Sequence, residues 1–203
     1  MIRAKIEQAV GILNELDIDV WMLFARESAT VHDPSFDLVV GGNCTWQSAF
    51  ILTRTGERIA ILGSLDVAAH TMLGHYPEIV PYVKGVSEPL REILRRLDPR
   101  RIAINYSLND EMADGLTHGM FLLLQDILKD TPYAARLESS EEIIGRLRAR
   151  KMPPEIERIA RACTETVDLF TQLDRRLRIG LTEKQIAAIM VEGITGSNGL
   201  LIP

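Results

Sequence analysis

Apolar positions recur at two different periods along this chain, and the switches between them mark out its elements. Ile6, Val10, Leu13 and Leu16 lie at helical spacing, which predicts a helix over 2–16, ended by the acidic stretch 17–19. A strand follows at 20–24, reading Val-Trp-Met-Leu-Phe. Residues 48–53 and 58–62 are β-rich runs separated by Arg54-Thr55-Gly56-Glu57, a hairpin signal that predicts an antiparallel pair. Beyond the hairpin the pattern alternates: helix 66–74, strand 79–83, helix 87–97, strand 101–106, helix 111–129, strand 134–138 and helix 140–150. Strands alternating with helices build an α/β layered sheet, and the hairpin makes it mixed, with six strands.

At Lys151-Met152-Pro153-Pro154-Glu155-Ile156 the pattern changes. Consecutive prolines fit only the first turn of a helix, where the missing donors have no partner anyway, so a new helix starts here. Its stripe is Ile156, Ile159, Ala160, Cys163, Val167, Phe170 and Leu177, over 154–178. Gly180 reads as a stop, and Thr182-Glu183-Lys184-Gln185 as a capping box opening a second helix at 183–192. The glycine-bearing tail 193–203 has no periodicity. Two amphipathic helices cannot bury two apolar stripes by themselves, so 151–203 reads as the opening of a second, incomplete domain after a first domain at 1–150.

Composition narrows the class. With 203 residues, 46% hydrophobic and 25% charged, the chain is an ordinary globular one, which excludes disordered, collagenous and disulfide-rich classes. The two cysteines, Cys44 and Cys163, make neither a disulfide framework nor a metal site alone. A net charge of −5 argues against a nucleic-acid binder, and the arginines 91, 95, 96, 100 and 101 read as a solvated helix end. No apolar run reaches the ~20 residues of a membrane span and no signal core opens the chain, so a cytoplasmic protein without membrane association is expected.

Candidate chemistry sits in two polar clusters. Residues 26–47 form a loop long enough to carry function, and in it Arg26, Glu27, His32, Asp33, Asp37 and Trp46 gather beyond the end of the first strand, where α/β sheets place ligand groups. Asn105 to Asp110, followed by Asp114-Gly115-Leu116-Thr117-His118-Gly119, is the second, and for both clusters ordinary turn and helix-capping chemistry is the leading competing account. No His-x-x-x-His pair, Cys-x-x-Cys or Gly-x-Ser-x-Gly is present. The Gly193, Gly196, Gly199 series follows a helix and lacks a lysine, so it is no phosphate loop.

A six-stranded α/β domain ending in Arg146-Leu147-Arg148-Ala149-Arg150-Lys151-Met152-Pro153-Pro154-Glu155-Ile156-Glu157-Arg158-Ile159-Ala160-Arg161-Ala162 resembles the creatinase/prolidase N-terminal domain, of ribonuclease H-like architecture, and its junction with the catalytic domain in Xaa-Pro aminopeptidases and dipeptidases of peptidase family M24. Leu181-Thr182-Glu183 after Gly180 is similar to the start of that family's second catalytic-domain helix. The resemblance spans about 1–192. It departs at Met152, where the family carries a serine or threonine cap, a loss of about 1 kcal/mol, and at the acidic 33–37 loop, where the family carries Asn-x-x-Tyr.

The resemblance implies a parent that is a metal-dependent peptidase holding two divalent metals (Mn, Co or Zn) with two aspartates, a histidine and two glutamates. Those ligands belong to the later part of the catalytic domain. The last histidine here is His118, and Glu165, Asp168, Asp174, Glu183 and Glu192 are scattered over helix faces that cannot cage a metal. A truncated chain with no metal, no catalytic residue and no turnover of its own is therefore expected. In the full-length context the first domain would shape a cleft for peptide substrates, with Glu27, His32, Asp33, Asp37 and Trp46 as cleft candidates, and would support a homodimer. The competing reading is a non-catalytic peptide- or protein-binding module of the same fold, as in relatives that bind peptides or histones without hydrolysis.

Overall fold

A computed structural model describes residues 1–196, and the last positions of the predicted tail, Gly199 among them, lie outside the described residues. The elements are α1 (Ile2–Glu15), β1 (Val20–Ala25), α2 (Phe36–Val39), β2 (Ser48–Thr53), β3 (Arg58–Gly63), α3 (Val67–Leu73), β4 (Glu78–Tyr82), α4 (Ser87–Leu97), β5 (Ile102–Ile104), α5 (His118–Leu128), β6 (Leu137–Ser139), α6 (Glu141–Ala149), α7 (Pro153–Arg176) and α8 (Glu183–Gly196). Contacts divide them into two units, Met1–Arg150 and the residues from Lys151 on.

The first unit is a mixed six-stranded sheet in the order β4-β3-β2-β1-β5-β6. β2 and β3 form the antiparallel pair that the hairpin signal predicts, β1 adds antiparallel to β2, and β4, β5 and β6 join in parallel to their neighbours. β1 is central and all six of its residues are buried, which is why it reads as a continuous apolar run. Its alternate side chains feed two cores. Trp21 and Leu23 pack with Ile6, Ile12 and Leu13 of α1 and Ile143, Ile144 and Leu147 of α6. Val20, Met22 and Phe24 pack with Leu90 and Leu94 of α4 and Met120, Leu124 and Ile127 of α5. Helices thus cover both faces.

Lys5 joins the first and last helices of this unit. It is 2% exposed, and its ammonium donates to Leu147 O at 3.0 Å and Arg150 O at 2.9 Å, the carbonyls at the end of α6. A cation there satisfies acceptors that the helix cannot and complements its dipole. The arginines in the last turn of α4 and just after it are ion-paired: Arg96 with Glu78 at 3.0 Å, Arg100 with Asp19 at 3.1 Å and Arg101 with Glu138 at 2.6 Å.

Several boundaries differ from the sequence reading. The helix expected over 111–129 is broken: Glu111–Ala113 is a single 3₁₀ turn, and α5 begins only after Thr117, whose hydroxyl accepts from Met120 N–H. The strand expected over 101–106 stops at Ile104, and 132–136, partly assigned to the next strand, is a 3₁₀ turn. One short helix, α2, lies inside the loop 26–47.

In the second unit α7 and α8 pair, with Arg176 bonded to Glu192 at 2.7 Å and Leu169 against Gly193. The capping box forms: Thr182 N–H donates to Gln185 Oε1 at 2.9 Å, and Gln185 N–H to Thr182 Oγ1 at 3.4 Å. At α7 half of such a box offsets the missing hydroxyl, because Glu155 accepts from Met152 N–H at 2.8 Å. Ile156, Ile159, Val167 and Phe170 remain exposed along α7.

Candidate functional site

Beyond the end of β5 a single side chain takes over the work of a strand. β5 stops at Ile104, and the amide of Asn105 then pairs with the next available position of β1: Phe24 N–H donates to Asn105 Oδ1 at 3.0 Å, and Asn105 Nδ2 donates to Phe24 O at 3.4 Å. The same Nδ2 donates to Asp33 Oδ2. Asp33 Oδ1 accepts from Ser35 N–H at 2.8 Å and from the Ser35 hydroxyl, the local Asx geometry that Asp-Pro-Ser favours. Asn105 and Asp33 are each 1% exposed, so the carboxylate is buried with three donors around it.

The main chain of Asn105 extends the network, since its carbonyl accepts Leu116 N–H at 2.8 Å. A methyl group on Gly115 would collide with the Asp33 carboxyl, so only glycine lets the 115–117 segment come this close. The two polar clusters of the sequence therefore meet in one place. Between them lies a cavity of about 480 Å³ lined by Phe24, Ala25, Arg26, Glu27, Thr30, Val31, Gly115, Thr117 and Met120. It combines an apolar floor with one guanidinium, one carboxylate and two hydroxyls, a mixture suited to a small ligand with both apolar and polar groups.

The candidates read from the sequence divide. Glu27 lines the cavity at a positive φ of 47°, held there by its N–H to Thr45 O at 3.0 Å. His32 and Asp37 form an exposed pair at 3.2 Å on the same loop. Asp33, placed among the cleft candidates, faces inward: it fastens the loop to β5 and presents nothing to solvent. Trp46 packs elsewhere, over Gly63 and 5.8 Å from the Tyr82 ring, and does not line the cavity. Tyr82, whose hydroxyl donates to Gln47 O at 2.7 Å, is pushed up to about 12 by burial and by the negative charge of Asp66. Asn105 and Gly115 are the organising residues that pattern reading treated as turn chemistry; the polar Asn105 directly after an apolar strand was the available signal.

No group of three or more His, Cys, Asp or Glu is placed to hold a metal among the described residues, so the residues present do not fit a metal centre. Among them no helix is long and apolar enough to cross a membrane.

No protein-family model and no curated protein matches this sequence. Solved structures do. Dipeptidase PepE from Mycobacterium ulcerans superposes with a TM-score of 0.60 at 18% identity, over 96% of this chain and 49% of its own. An Xaa-Pro dipeptidase from Bacillus anthracis gives 0.58 at 15% identity, over 95% and 48%. The creatinase/prolidase N-terminal domain of an X-Pro dipeptidase from Streptococcus pyogenes gives 0.51 at 15% identity, over 70% of this chain and 98% of its own. The chain thus spans about half the length of the two dipeptidases. With its mixed sheet flanked by helices and its helical C-terminal part, it has the fold of the creatinase/prolidase N-terminal domain and of the residues that follow it in Xaa-Pro dipeptidases.

Proposed function

We propose that this chain is the N-terminal part of a metal-dependent Xaa-Pro aminopeptidase-like protein, in which residues 1–150 shape and restrict a peptide cleft and α7 and α8 open the catalytic domain. The observation that carries the reading is the shared fold with the isolated N-terminal domain from the Streptococcus pyogenes X-Pro dipeptidase, together with the half-length coverage of two whole dipeptidases. The cavity past β1 supports the cleft role, with Glu27 and Arg26 in its lining. The exposed stripe of α7 supports a homodimer, because side chains of this size contribute roughly 1.5 to 3 kcal/mol each when buried. Two divalent metals would be held by residues other than those described, and the chain would do no hydrolysis alone.

Two measurements test this. Titration of the chain with Mn²⁺, with an assay on Xaa-Pro dipeptides and longer peptides, is expected to show neither stoichiometric micromolar binding nor turnover. Amide NMR during a titration with Ala-Pro-Ala is expected to move resonances of Glu27, Thr30 and Thr117. Turnover by this chain, or no response at millimolar peptide, overturns the reading.

A further inference from the structure

The direction of the main-chain groups along β1 exposes one pair that no element covers. Val20 N–H donates to Arg101 O at 3.2 Å, on the β5 side, and Phe24 uses both its N–H and its C=O on that side through Asn105. Glu27 N–H turns the other way, to Thr45 O at 3.0 Å in the segment leading into β2. From Val20 to Glu27 even positions thus face β5 and odd positions β2, as the two-residue period of a strand requires; past the left-handed turn at Glu27 the alternation ends, and Ser28 N–H donates to Cys44 O at 3.0 Å on the β2 side. Arg26 is the next even position. Neither its N–H nor its C=O is hydrogen-bonded among the described residues, because β5 ends at Ile104 and the Asn105 amide, which also holds Asp33, reaches no position of β1 beyond Phe24. Arg26 lines the cavity, with Thr117 and Met120 among the residues that share it.

We infer that the main chain of Arg26 is a strand-pairing site for one residue of an extended peptide, its N–H donating to that residue's carbonyl and its C=O accepting from that residue's N–H in an antiparallel bridge. The choice of a peptide as ligand rests on the function proposed above; the pairing group itself follows from the geometry of β1. A backbone donor and acceptor side by side match a peptide unit, and strand addition is a general way to recognise one. The lining carries one arginine and one glutamate, so it selects no net charge, while Phe24, Val31 and Met120 offer an apolar wall to a neighbouring side chain. Proline has no N–H. The bridging residue is therefore not proline, and a prolyl peptide would seat its proline to one side of Arg26.

N-acetyl-Ala-Leu-Ala-amide and its three analogues, each N-methylated at one residue, test the pairing on the intact chain by amide NMR. The parent peptide is expected to shift the Arg26 amide resonance downfield, and one of the three analogues to bind about tenfold more weakly and lose that shift, since it deprives a carbonyl of its donor. Arg26→Ala keeps the main-chain pair and is expected to keep the contrast between parent and analogue. If Glu27 and Thr30 respond while Arg26 does not, or if all three analogues bind like the parent, the pairing is overturned and the peptide-cleft function stands. If the parent does not bind at millimolar concentration, both fall.

Discussion

Replacing Asn105 by alanine removes the joint on which the cavity depends. The variant leaves three buried groups without their partner: the N–H and the C=O of Phe24, and one oxygen of the Asp33 carboxylate. A buried polar group left unsatisfied costs about 1–3 kcal/mol, and more when it is charged. Water entering from the adjacent cavity would recover some of this, so a net loss of about 3 kcal/mol is expected. At a urea slope of about 2 kcal/mol/M, the unfolding midpoint should fall by about 1.5 M. The assay is straightforward, because the two tryptophans, Trp21 and Trp46, both belong to the first unit and their fluorescence reports its unfolding. Leu108→Ala, at a side chain 90% exposed, is the control and should leave the midpoint in place. A midpoint shift below about 0.3 M for Asn105→Ala would refute the claim that this amide stands in for a strand.

Other outcomes follow from the same geometry. Gly115→Ala drives a methyl into the Asp33 carboxyl and should destabilise by about 1–3 kcal/mol; an unchanged thermal midpoint would show that the two segments do not pack as described. Glu15, hydrogen-bonded by Arg150 and Arg146, is held at about 2 against an ordinary 4.5, so the folded chain keeps it charged where the unfolded chain has taken up a proton. Its stabilisation is complete above about pH 4.5 and disappears as the pH falls toward 2, and the stability gap between wild type and Glu15→Gln should close over that interval; a gap independent of pH contradicts the assignment. Val167→Asp places a charge in the exposed stripe of α7, and light scattering on the intact chain should show a dimer turned into a monomer; a wild-type chain that is already monomeric removes the homodimer from the proposal.

Much of the fold is legible without coordinates, because local rules act strongly there. The 54–57 turn between two β-rich runs, the proline pair at 153 and 154 and the Thr182–Gln185 box each depend on residues close in sequence, and each forms where the pattern places it. The six-stranded mixed sheet follows from their alternation, and a resemblance carried by a short junction motif agrees with the fold found by superposition at 15–18% identity. The burial of Asp33, the lysine cap by Lys5 and the break at 114–117 were not legible, since their partners lie 72, 142 and 11 positions away, the last being Leu116 N–H on Asn105 O. A helical period across 111–129 favours one continuous helix, yet the hydrogen bond from Leu116 and the closeness of Gly115 to Asp33 outweigh it. Sequence thus determined most of the strands and helices, because periodicity and turn chemistry are local properties. The tertiary structure alone decided which polar groups are spent on holding the loop and which, such as Glu27 and the main chain of Arg26, are left facing a cavity, because a hydrogen bond satisfied from a distant element is invisible in the order of residues.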